Sequence, residues 1–111
     1  MVRWPAIIKY EGDSELTFVS GLSEWECDAD LHFFSYEEGD VLIDSEGGIY
    51  ALDKREADCI NPRATGGSFN KEEVLEIIKE HFSAIGECCV SKYSISTISE
   101  GVAAVGLFQG K

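Results

Sequence analysis

The constellation in this chain best suited to chemistry is Asp28, Asp30 and His32, at alternate positions in the stretch DADLH. On an extended backbone alternate side chains share a face, so two carboxylates and an imidazole would converge. That donor set suits iron, manganese or zinc. A helix begun at Ser23 and carried as far as Asp30 would break the geometry, and a solvated acidic face is the simpler reading. The thiols offer less. Cys88 and Cys89 are adjacent, and on a strand neighbouring side chains point to opposite faces, so the pair cannot hold one metal undistorted. Cys27 and Cys59 stand alone, there is no C-x-x-C, and a zinc site would need ligands from three separate segments.

Covalent catalysis needs a base beside the nucleophile. The histidines are His32 and His81, and no motif brings either to a cysteine. His81 falls in the last turns of an expected helix, where an imidazolium would interact favourably with the helix dipole. The chain lacks G-x-S-x-G, H-E-x-x-H, a Walker loop and a dinucleotide fingerprint. Gly66-Gly67-Ser68 ahead of a helix, with Arg63 and Lys71 near, resembles an anion cradle without the Walker spacing. No catalytic residue and no cofactor are assigned, and the reading leans away from an enzyme.

Asp44-Ser45-Glu46-Gly47-Gly48 raises the question of calcium. An EF-hand loop needs oxygen ligands at positions 1, 3 and 5, glycine at 6 and glutamate at 12, and no register of this stretch satisfies that pattern. A hairpin does better. With Ser45–Gly48 as its loop, Ile43 faces Tyr50 and Val41 faces Leu52, two apolar cross-strand pairs on one face.

Hydrophobic pattern and capping residues predict the strands and helices around these groups. Ala6–Tyr10 and Leu16–Ser20 form a hairpin around the turn residues Glu11–Ser14, with Pro5 at a strand start or edge. Ser23 and Glu26 fit a capping box, which predicts a short helix near 24–28. Residues 54–68 show no periodicity and read as a long connection. It carries Arg55 and Arg63, two of the three arginines, and these are the candidate partner-binding residues. Asn70 and Glu73 make a second capping box, with Phe69 and Val74 spaced for a hydrophobic staple. Val74, Leu75, Ile78, Phe82 and Ile85 then form the apolar stripe of a helix over about 71–85, closed by Gly86. ECCVSKYSIST and GVAAVGLF read as two strands, the second covered on both faces.

The 111 residues make one domain, 1–111, large enough for its own core. Nine basic against 21 acidic residues give a net charge of −12, a field that repels nucleic-acid phosphates and anionic membranes. No segment has signal-peptide or membrane-span character, so the chain is expected to be cytoplasmic with reduced thiols, at least one of Cys88 and Cys89 being buried. The opening WPAIIKYEGDSELTFVS, with EWECDADL, VLIDSEGGIYAL and the late CCV, resembles a small family of uncharacterised proteins, a domain of unknown function, from marine gamma-proteobacteria. That resemblance implies an intracellular bacterial protein and no activity, cofactor or catalytic residue.

The expected fold is α+β: a mainly antiparallel sheet of hairpins with the 71–85 helix packed on one face. The function is unknown. The leading reading is a non-catalytic protein-interaction or accessory domain whose partner is another protein. The alternatives are a metal-binding protein or small metalloenzyme using Asp28, Asp30 and His32, and an acidic inhibitor or mimic that occupies a basic partner surface.

Overall fold

A computed structural model of the protein describes residues 2–27, 36, 39–56, 59–86 and 93–108, the side chains of 53–56, 59 and 108 excepted. The described elements are β1 (Ala6–Lys9), β2 (Leu16–Val19), α1 (Leu22–Cys27), β3 (Val41–Ile43), β4 (Gly48–Glu56), β5 (Cys59–Ser68), α2 (Lys71–Ala84) and α3 (Ile98–Phe108). The five strands form one antiparallel sheet in the order β2-β1-β3-β4-β5. The α+β expectation is met.

Strand alternation sorts the apolar residues onto two faces. Ile7, Leu16 and Ile43 lie in one cluster with Val74, Ile78 and Phe82 of α2 and Val102 and Val105 of α3. Ala6, Ile8, Val19, Leu42, Tyr50, Leu52 and Ile60 lie in the other, with Trp25 of α1. The Trp25 indole N–H donates to the Ile60 carbonyl at 3.0 Å, which ties α1 to β5 and satisfies a donor that burial would otherwise leave unpaired.

The β1–β2 hairpin forms as expected, with Ala6 opposite Val19 and Lys9 opposite Leu16. The second hairpin forms too, but in a different register. Its loop is Ser45–Gly47, one residue shorter than expected, so Ile43 faces Ile49, Leu42 faces Tyr50 and Val41 faces Ala51. Val41 and Ile43 therefore pack toward α2 and α3, while Tyr50 and Leu52 belong to the opposite face. Both faces of β3 are apolar, so alternation could not choose between registers. The turn chose. Asp44 N–H donates to the Gly48 carbonyl at 3.1 Å and Gly47 N–H to the Asp44 carbonyl at 3.0 Å, the three-residue loop whose last residue is left-handed. Gly47 has φ +85°, and a Cβ there would strike the Phe69 carbonyl oxygen. Only glycine fits.

Three further expectations are overturned. The described residues of 54–68 are not a connection: 54–56 complete β4 and 59–68 build β5. Their periodicity is broken because the β4–β5 pairing shifts register twice, between Gly48 and Tyr50 and between Ala51 and Lys54. The tail GVAAVGLF is a helix, not a strand, and Tyr93, Ser94 and Ile95 at the end of the other expected strand adopt no regular element. A short apolar run suits a buried strand or a buried helix equally. Here Gly101 lets α3 approach α2 closely, since a Cβ on it would lie 2.7 Å from Ile78 Cδ1. The expected capping box of Ser23 and Glu26 also does not form. The helix starts earlier, at Leu22, and Glu24 accepts the Ser20 N–H at 2.8 Å.

Candidate functional site

The Asn70 capping box is present in both directions: Asn70 Oδ1 accepts the Glu73 N–H at 2.8 Å and Glu73 Oε1 accepts the Asn70 N–H at 3.0 Å. It fixes the first turn of α2 beside β1. An open groove of about 520 Å³ lies there, lined by Lys9, Phe69, Asn70, Glu72, Glu73, Glu76 and Ile77. Phe69 and Ile77 are half-buried against the core and supply the apolar surface. Glu72, Glu73 and Glu76 are exposed. Sequence reasoning found the cap but not the groove, because Lys9 meets this part of α2 only in the folded chain.

At the other end of α2, Gly86 closes the helix with φ +86°, as expected. Ile85, placed on the buried stripe by its spacing, is exposed. His81 takes its place inside. Its Nδ1 accepts the Leu16 N–H at 2.8 Å, so the ring is neutral with its proton on Nε2. Among the described residues Nε2 is a buried polar atom without a hydrogen-bond partner. Burial lowers the His81 pKa, opposed in part by the Glu15 carboxylate. The expected imidazolium at the helix dipole is corrected accordingly: a proton on Nδ1 would break the bond to β2.

Asp44 is also a buried polar residue. Its carboxylate accepts the N–H groups of Glu46 at 3.0 Å, Gly48 at 2.8 Å and Arg3 at 3.1 Å. The Tyr50 phenol beside it has its pKa raised by burial first and by the Asp44 charge second. These oxygens are committed to the turn. Glu46, the other acid of the pair, is exposed and lies 3.5 Å from Arg3.

β5 is an edge strand ten residues long. Arg63 to Ser68 are exposed along it. β3 pairs with β4 only as far as Ala51, while β4 and β5 pair on to Glu56 and Cys59. Among the described residues, the outer ends of β4 and β5 pair only with each other. Arg55 lies on this outer part, opposite Ile60, and Arg63 lies nearer the sheet, opposite Ala51. The structure thus brings both candidate arginines onto one hairpin.

Asp28, Asp30 and His32 lie outside the described residues, as do Cys88 and Cys89; Cys27 is exposed. Among the described residues, no three His, Cys, Asp or Glu side chains gather closely enough to hold a metal ion. Among them, too, no helix is long and apolar enough to cross a membrane.

No curated protein matches this sequence. Among solved structures, an NMR structure of a protein from Shewanella amazonensis is similar, with a TM-score of 0.70 and 23% identity over 99% of this chain and 92% of that one. At that identity the likeness shows the fold. The profile of one family, DUF4144, described as a protein structure with unknown function, matches residues 4–105. With nearly the whole chain matched and the fold shared by a protein of a marine gamma-proteobacterium, this chain belongs to the DUF4144 family.

Proposed function

We propose that this chain is a non-catalytic protein-interaction domain and that the β4–β5 hairpin carries its contact surface. The observation behind this reading is that the two strands outrun the sheet and that β5 exposes Arg63 to Ser68 at its edge. Pro62 removes a backbone donor, and Gly66, at φ +84°, sits where the strand bulges. Both features blunt strand addition at an edge. Recognition therefore rests on side chains, and in a chain of net charge −12 two of the three arginines, Arg55 and Arg63, fall on this hairpin, so the contact expected is an acidic group of a protein partner.

The test is affinity capture from an extract of the cells that make the protein, with wild type and with Arg55→Ala/Arg63→Ala. The double variant should still unfold cooperatively in urea and lose the partner that wild type retains. Equal retrieval by both proteins rules the hairpin out as the contact surface.

A further inference from the structure

The groove at the start of α2 is a different surface from the edge hairpin, and its chemistry is opposite. Its apolar part is Phe69 and Ile77; its rim carries Glu72, Glu73 and Glu76, and Lys9 is the one cation among the described residues that line it. Glu72 and Glu73 suit the positive end of the helix dipole. Glu76 does not share that benefit: it stands one turn further on, four residues from both Glu72 and Glu80. Like charges at that spacing repel; of the four positions at helical spacing from Glu76 three are acidic and one is Lys79, so the stripe is only partly neutralised within the helix. We infer that the groove is a docking site for a cationic amphipathic segment of a protein partner. One apolar side chain of that segment seats on Phe69 and Ile77, and flanking lysine or arginine side chains lie over Glu72 and Glu76.

Charge complementarity selects this occupant. A second copy of the chain brings another −12 and is repelled. A small molecule in an open groove leaves too much of its surface in water, because tight small-molecule sites enclose most of their ligand. An amphipathic segment meets both halves of the site. Its apolar anchor supplies burial, while the solvated carboxylates steer it in and set its orientation. The association must then weaken as salt screens the rim.

The probe is a synthetic amphipathic leucine–lysine peptide, titrated into isotope-labelled protein and followed by backbone NMR, beside a leucine–glutamate peptide of the same pattern and polylysine. The leucine–lysine peptide should give saturable shifts concentrated at Lys9 and Phe69 to Ile77. The leucine–glutamate peptide should give none, and polylysine only diffuse, non-saturating ones. Glu76→Lys should weaken the saturable binding about fivefold, whereas Glu26→Lys, the same charge change on α1, leaves it within about twofold. Both positions are exposed, so both variants fold. Shifts spread evenly over the acidic surface overturn the inference, as do equal losses in the two variants. Peptide-free shifts at the groove that grow with protein concentration would mean a second copy is the occupant, and also overturn it.

Discussion

The two ends of α2 are held by opposite means. At the start, Asn70 and Glu73 satisfy each other's backbone amides across three residues, in solvent. Near the finish, His81 is buried and accepts an N–H from Leu16, 65 residues away. The first arrangement forms as soon as the helix does. The second exists only once β2 has packed against the helix, and it leaves Nε2 without a hydrogen-bond partner among the described residues. A local contact adds a modest increment with little at stake. A long-range buried one couples two elements and costs much when half of it is lost.

The sharpest test removes the buried end. His81→Ala deletes the acceptor for Leu16 and leaves a cavity, and should lower stability in urea unfolding by about 2–4 kcal/mol. His81→Leu keeps most of the volume and discards the unpaired Nε2–H, so it should cost less than alanine. If His81→Ala costs no more than Asn70→Ala, the contrast between the two ends collapses.

Acid should distinguish the ends as well. Because burial lowers the His81 pKa in the folded state, below about pH 6.5 the unfolded chain takes up a proton that the folded chain refuses. More protons on the unfolded state means that stability falls as pH falls through this range, until the folded imidazole titrates in turn. Urea unfolding at pH 7.5 and 5.5 should show the loss in wild type and a smaller one in His81→Leu. The Asn70 capping box has no such dependence on histidine, so Asn70→Ala should keep the full wild-type pH response.

A smaller effect belongs to the exposed end. Asn70→Ala removes one side of the capping box and should cost about 1 kcal/mol. Glu73→Gln keeps an acceptor for the Asn70 N–H and should cost only a few tenths.

The smallest effect expected is none. Asp44 is buried like His81 but bonded mostly to near neighbours, and its oxygens already accept three backbone amides. Calcium titration followed by NMR should leave the amides of Asp44 and Glu46 unmoved. Saturable shifts there at sub-millimolar calcium would sink this reading of the turn.

Contacts that a few adjacent residues settle among themselves were legible in the chain before folding. The Asn70–Glu73 box, the left-handed Gly86 and the β1–β2 turn were readable because their partners lie within a turn of chain. The cap of α3 was equally readable and was missed: Thr97 Oγ1 accepts the Glu100 N–H at 3.0 Å, and Glu100 accepts the Ser96 N–H at 2.8 Å. That T-x-x-E signal argued for a helix where apolar content alone suggested a strand. Glu72 and Glu76 were visible as residues one turn apart, but not as the rim of a groove.

Long-range packing set the rest. The register of the second hairpin, the pairing of residues 54–68 as strand, the groove between β1 and α2, and the burial of His81 in place of Ile85 all depend on residues distant in sequence. β3 is apolar on both faces, so its alternation carries no register information. β5 contains Pro62, Gly66 and Gly67, a composition that reads as a loop until β4 supplies a partner for its backbone. His81 reads as a surface residue until the Leu16 amide arrives to satisfy it. The physical reason is the same each time. A backbone or ring nitrogen is obliged to find a hydrogen-bond partner when buried, but the sequence does not say which distant residue will bring that partner.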